Sequence, residues 1–441
     1  MIRKLILVFI LCVLLFCLLH SRFSQVEVRA PDGYPVHNLD TWLNYTTIQE
    51  AISDPKTLAG HTIFVEKGVY YEDVIVNKSL SLIGENKSGT IIDGNGTDVV
   101  ILVKADNVTI RGFTVRNGST GIYVDHSKTS LIEDNYVTRN ADGILVRFSS
   151  NCTVCWNFIG NNTNRNTLIT NSWNFTVNDN DVYGTWGYGI NANASSNGVI
   201  TRNNVYENYY DGIGLLDSNN CKIVGNLVKN NTFFGIWIDS SDYNSIYHNN
   251  IVNNEFQTSS NSVLNTWNNT VEGNYWSDYT GVDLGHDGIG DSWYEADSGN
   301  IDHYPLMGMF RSFNTSLGYR VNVISNSTIE YFQYFESNST IVMHVSNTTA
   351  NQAFGFCRVY IPHALMKETY HVIINGTDPI YWNYTLYDDG DNRWIYFSYQ
   401  HSLLEIVIVP DFPSFLTLLT FKVATLLAVI VYKREHTVRQ I

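Results

Sequence analysis

Between residues 110 and 251 the chain repeats one phrase. An aliphatic side chain returns at Ile110, Ile132, Val154, Val177, Ile200, Ile223 and Ile246, at intervals of 22 or 23 residues. Three residues after the later members comes Asn135, Asn157, Asn180, Asn203, Asn226 or Asn249, and two further on Val137, Ile159, Val182, Val205, Val228 or Ile251. A third column, usually preceded by Gly, runs Ile122, Ile144, Ile169, Ile190, Ile213, Ile236. The alternation inside each phrase predicts strands, because successive strand side chains point to opposite faces. Three short strands per period predict one coil of a parallel β-helix per phrase, stacked at about 4.8 Å. Each Asn falls at a bend, where a ladder of amides would satisfy backbone groups stranded inside.

The flanks follow a looser pattern. The segment HTIFVEKGVYYEDVIVNKSLSLIGENKSGTIIDGNG fits two or three less regular coils. Ahead of it, Thr47 and Glu50 have capping-box spacing, and Ile48, Ala51 and Ile52 give a short apolar face. That predicts a helix covering the open coil end, where bare strand edges would invite pairing between chains. From Phe310 to Val409, runs such as YRVNVI, STIVMHV, YHVIING and RWIYFSY alternate between turn signals. They predict a separate β-sandwich.

Charge and the two ends narrow the class. The 441-residue chain carries a net charge of −15, which argues against a nucleic-acid partner. Arg3 and Lys4 precede an apolar run to Leu19, so residues 1–24 read as a signal peptide or an N-terminal anchor. A second apolar run, 412–432, is long enough to span a bilayer and is followed by a basic tail, 433–441. Lys422 inside that run is costly there. About 18 Asn-x-Ser/Thr sequons, including Asn44, Asn107, Asn174, Asn326 and Asn383, are glycan acceptors if the chain is exported.

The helix phrase TTIQEAI, the segment SLSLIGENKSGTIIDGNG, the Asn-rich coils and the closing GNYWSDYTGVDLGHDGIGDSWYEADSGNIDHYPLM resemble the NosD-type β-helix proteins of archaeal cell surfaces. FGFCRVYIPHALM and VPDFPSF are also similar to that group. The resemblance implies a right-handed parallel β-helix of the pectin-lyase-like class, and its name implies copper. The expected architecture is therefore all-β. A capping helix precedes a β-helix over 40–308, and a sandwich over 309–409 and a transmembrane helix follow.

Candidate chemistry is sparse. Paired outward carboxylates, which hydrolysis of a glycan needs, are lacking on the Gly-Ile strand, whose outward residues read Tyr123, Leu145, Thr170, Asn191, Gly214 and Trp237. Glu207 and Asp211, flanking one turn, are the remaining acid pair. Trp186 and Tyr188, then Tyr209 and Tyr210, then Phe233 and Phe234, precede successive Gly-Ile pairs and predict an aromatic stripe, with Trp237 beside it. Such rings suit sugar faces. Asp283, Asp287 and Asp291 approximate a calcium loop, with Gly285 in place of an acid and with Asp297 and Asp302 as further donors. Copper needs clustered His, Met or Cys, for which His248, His286 and His303 are the candidates near the coil end. Cys152 and Cys155, three apart on one strand, face opposite ways and cannot chelate one ion.

The sequence thus points to a membrane-anchored surface β-helix that binds glycans or envelope components without catalysis. The alternatives are a polysaccharide lyase or hydrolase and a copper accessory protein.

Overall fold

The computed structural model describes residues 33–410, apart from 350–351, 367–369 and 401. The expected leader and membrane span fall outside these residues. Among the described residues no helix is long and apolar enough to cross a membrane. The described residues form two compact units, one of those up to Thr176 with Asn180–Trp186, the other of Val177–Asp179 with those from Gly187 onward.

The first unit is a parallel coil. It begins with an antiparallel hairpin, Val36–Asn38 and Leu43–Tyr45, whose first strand pairs antiparallel with Thr62–Val65. From there pairing is parallel, with Ile110, Ile132 and Val154 in one register and Val115, Val137, Ile159 and Val182 in another. These side chains are fully buried or nearly so, so each coil contributes its aliphatics to one continuous core. The helix Ile48–Ser53 buries Ile48, Ala51 and Ile52. Thr47 Oγ1 accepts the Glu50 N–H at 3.1 Å. Glu50, however, reaches back to Thr46, and the first helical N–H groups of Ile48 and Gln49 are taken at 3.0 Å by Glu72, a distant carboxylate.

In the second unit the same coil pattern aligns Ile190, Ile213 and Ile236, then Ile200, Ile223 and Ile246, then Val205, Val228 and Ile251. Pairing becomes antiparallel past the last coil, first in the hairpin of Tyr294–Asp297 with Asn300–Asp302 and then throughout the strands from Met309. A five-stranded sheet, running from Met309–Asn314 to Tyr381–Asp388 at its edges, lies with a four-stranded sheet edged by Thr328–Phe335 and Tyr370–Ile374. Val323, Met343, Val359, Phe397 and Ile406 fill the space between them.

One coil departs from the predicted register. Ile144 pairs with Thr167, not Ile169, which lies two residues along opposite Val146. Leu168 therefore extends the Tyr123–Leu145 column, and Thr170 pairs with Arg147. In Arg165–Thr170 a fully buried Thr occupies the aliphatic position, so the eye is drawn to the wrong Ile.

The corners explain the polar repeats. The residue before each ladder Asn is left-handed, with φ of 51° at Asp134, 58° at Trp156, 56° at Arg202 and 59° at His248. Non-Gly residues disfavour that conformation by about 1–2 kcal/mol each. The amides offset it. Asn157 Nδ2 donates to Ile132 O at 2.8 Å and to Asn180 Oδ1 at 3.1 Å, while its Oδ1 accepts the Asn135 N–H at 2.9 Å. Asn203, Asn226, Asn249 and Asn274 repeat the arrangement in the second unit. Two further ladders escaped the sequence reading, one of Asn (Asn140 to Asn162, and Asn208 to Asn231 to Asn254) and one of Ser (Ser127 to Ser149 to Ser172). Asn157→Ala orphans buried groups on both sides, each costing about 1–3 kcal/mol. A drop of about 3 kcal/mol in unfolding free energy is expected by chemical denaturation.

Candidate functional site

The aromatic residues gather beside one corner of the second unit. Tyr188 and Tyr210 stack at 5.5 Å between ring centroids, and Tyr209 meets Tyr210 edge-on at 5.6 Å. On later coils Phe233 packs on Phe234 at 4.3 Å, and both touch Phe256, at 5.7 and 5.5 Å. Tyr209, Tyr210, Phe233 and Phe256 are about half exposed, from 42% to 52%. Phe256 is the member that sequence reading missed, although it pairs with Phe234 in register 22 residues later. Trp186, 70% exposed, belongs to the first unit. Trp237 is half-buried and opposite Gly214, where an added Cβ would lie 2.7 Å from Asn191 Nδ2 and 3.4 Å from the Trp237 ring. The space over Gly214 is thus filled by the Asn191 amide.

Of the acid pair, the two members differ in kind. Glu207 is exposed at a left-handed corner, with φ of 55°. Asp211 is buried, and its Oδ1 accepts the Phe234 N–H at 3.2 Å. Burial pushes its pKa up to about 6, against the opposing effect of that single hydrogen bond. The aromatic neighbourhood that forms the stripe therefore also holds a carboxylic acid that titrates near neutrality.

The Asp loop is occupied by its own backbone. Asp283 accepts N–H groups of Asp287 and Gly288 at 3.0 and 2.8 Å, Asp287 accepts that of Ile289 at 2.8 Å, and Asp291 accepts that of Leu284 at 2.6 Å. Burial raises the Asp287 pKa, with the charges of Asp283 and Asp291 adding to it. Asp302 is no member of this loop. It is fully buried and accepts the Asn274 N–H at 2.7 Å, the Trp276 indole N–H at 2.9 Å and the Tyr304 N–H at 3.1 Å. Its carboxylate closes the asparagine ladder, at a spacing of 28 residues that hides it from the repeat. Asp297 accepts the Ser260 N–H at 2.8 Å.

The three candidate copper ligands do not converge. His248 donates from Nε2 to Glu272 at 2.8 Å and stacks on Phe310 at 4.0 Å, whereas His286 packs on Tyr381 and His303 is exposed. Met343, Met366 and Cys357 are buried in the sandwich core. Among the described residues no group of three or more His, Cys, Asp or Glu is placed to hold a metal ion. This donor set does not fit a copper centre. Cys152 and Cys155 are both buried. Cys152 precedes its strand at a corner, where alternation fails, and its Sγ turns to Ser127 O and Ser150 O.

The group that sequence reading could not find is Glu272. Its Oε1 accepts Arg358 Nε at 2.6 Å and the Trp394 indole N–H at 3.0 Å, from strands of the sandwich 86 and 122 residues away. Burial alone would raise its pKa, but His248 and Arg358 hold it down to about 2. Asn250 adds a second link, exchanging two hydrogen bonds with the Phe310 backbone at 2.7 and 2.8 Å. Arg358 also donates to Asp287 O at 2.9 Å, tying the Asp loop to the same cluster.

The family model described as periplasmic copper-binding protein (NosD) matches residues 56–281, just over half of the chain. A cell surface glycoprotein of Methanothermus fervidus is 41% identical over 102 residues, 23% of this chain. The chain spans 17% of that protein's length. Among solved structures, the A-module of mannuronan C-5 epimerase AlgE6 from Azotobacter vinelandii is 13% identical, with a TM-score of 0.34 over 48% of this chain and 90% of that one. ORF18 of Geobacillus virus E2 is 13% identical, with a TM-score of 0.39 over 71% and 70%.

Proposed function

The chain belongs to the NosD family, and from that premise we propose that it is a cell-surface β-helix that binds glycans without cleaving them. The aromatic cluster carries the reading. Tyr209, Tyr210, Phe233 and Phe256 offer half-exposed rings, backed by Tyr188 and Phe234. A sugar has an apolar ring face, and this surface supplies platforms for it. The relative named as a cell surface glycoprotein supports the location. Attachment through 412–432, export by 1–24 and closure of the coil start by the helix Ile48–Ser53 complete the proposal.

A glycan array probed with the full chain, with and without calcium, tests it. Tyr210→Ala and Phe233→Ala are expected to weaken the best ligand at least about tenfold each, the scale of a buried aromatic anchor. Unchanged binding in both would remove the stripe. Calcium at Asp283, Asp287 and Asp291 is the accompanying metal proposal, and it requires the loop to rearrange and give up the backbone N–H groups these carboxylates accept. It requires the melting temperature to rise with millimolar calcium and the rise to vanish in Asp287→Asn.

A catalytic second reading rests on Asp211, whose pKa burial raises to about 6, toward the range of a general acid. It needs a second acid, and exposed Glu207 is the available one. New reducing ends or unsaturated termini released from a bound oligosaccharide, and lost in Asp211→Asn, would favour it.

A further inference from the structure

In the second unit, a cleft of about 830 Å³ lies between two sheet faces. One wall is the coil column Thr201, Val224, Tyr247, which is in register along the stack. The other is the sandwich row Ser312, Asn322, Tyr360, Trp394, each paired with the next across the five-stranded sheet. The volume falls in the usual range for ligand pockets, about 300–1,000 Å³. Tyr360 and Trp394 meet edge-on at 4.9 Å, and Asn322 and Ser312 bring an amide and a hydroxyl.

Two guanidinium groups line this cleft, and they are not equivalent. Arg202 is fully engaged, with Nε and Nη2 on the two Asp179 oxygens at 2.8 and 2.6 Å. Arg320 has no carboxylate within ion-pair distance among the described residues, and its contact with Ser312 Oγ is long, at 3.5 Å. Burial and the positive charge of Arg202 work against its protonated form, and the more weakly felt charge of Asp179, which Arg202 holds, works for it. Of the two carboxylates that line the cleft, Glu272 is held by Arg358 and His248, and Asp391 is exposed to solvent. In a chain of net charge −15, this leaves a partly buried cation without an anion of its own.

We propose that this cleft is a second saccharide site, specific for an acidic sugar whose carboxylate pairs with Arg320 while its ring lies against Tyr360. Guanidinium and carboxylate match in planar, two-pronged geometry, and a desolvated pair of this kind is stronger than a neutral hydrogen bond. The site is separate from the aromatic stripe and does not depend on it.

Titration of the full chain with tetragalacturonate, with a neutral galactose tetrasaccharide and with inorganic sulfate tests the assignment. The charged tetrasaccharide is expected to bind at least tenfold more tightly than the neutral one and to weaken with added salt. Arg320→Gln is expected to remove at least tenfold of that affinity, and Arg320→Lys to restore only part. Equal binding of the charged and neutral chains, or full affinity in Arg320→Gln, would overturn the proposal. So would binding of sulfate alone, which would mark an anion site that does not recognise sugar. Loss on Tyr210→Ala instead would place the acidic sugar on the stripe.

Discussion

Glu272→Ala is expected to lower the unfolding free energy by about 4 kcal/mol, because breaking a buried ion pair strands the remaining charge. Arg358 would lose its carboxylate, and the Trp394 indole and the His248 ring would lose their acceptor. Glu272→Gln keeps an oxygen for Trp394 but not the charge for Arg358, so an intermediate loss is expected. Denaturant titration at pH 7 gives the comparison. A loss below about 1 kcal/mol in the Ala variant would mean that the cluster is not a lock between coil and sandwich. Its pH dependence has a definite sign. The Glu272 pKa falls from 4.5 to about 2 on folding, so its contribution is complete above 4.5 and disappears as pH falls through 2.

Asp302→Ala removes the acceptor of three N–H donors at once, two of them buried, and leaves the asparagine ladder open at Asn274. A loss of about 3 kcal/mol or more is expected, at about 1–3 kcal/mol for each group left unsatisfied. Asp302→Asn retains an oxygen and no charge, and is expected to cost clearly less. Here the linkage runs the other way. Burial raises Asp302 from 3.8 to about 6, and Asp211 likewise. Each contributes stability that is complete below 3.8 and is lost as pH rises through 6. The wild-type chain should therefore gain stability on going from pH 7 to about 5, then lose it as Glu272 protonates. In Asp302→Asn the gain between pH 7 and 5 should shrink. An unfolding midpoint that is flat from pH 7 to 5 in the wild type would contradict both assignments.

The parts of this fold legible in the sequence are those that repeat. Ile132 and Val154, or Ile223 and Ile246, announce their columns because the coil forces identical environments every 22 or 23 residues. The Asn ladder is legible for the same reason. Legibility fails where a coil substitutes chemistry at a fixed place, as Thr167 does for an Ile, and the strand is then read two residues out of phase. It fails again at the coil end, where Asp302 completes the ladder after 28 residues rather than 23. Glu272, Arg358 and Trp394 carry no signal at all, since nothing local in the chain marks residues that meet across 86 and 122 positions. In the candidate site, the rings of Tyr188, Tyr209, Tyr210, Phe233 and Phe234 were visible as a stripe. The separation of Asp211 from Glu207 into a buried and an exposed acid was not, because burial at a corner depends on the neighbouring coil. For the copper candidates, His spacing near the chain's coil end suggested convergence, but three-dimensional packing commits His248 to Glu272 and His286 to Tyr381.

The central claim is that the aromatic surface of the second unit holds a glycan and returns it intact. Calorimetric titration of the strongest array ligand into the full chain and into Tyr210→Ala/Phe233→Ala, with the recovered ligand weighed by mass spectrometry, tests it directly. The account requires saturable binding by the wild type, loss of at least about a hundredfold in a double variant that still unfolds cooperatively, and a ligand of unchanged mass. Binding that survives the double substitution, or ligand recovered as shorter fragments, would contradict it.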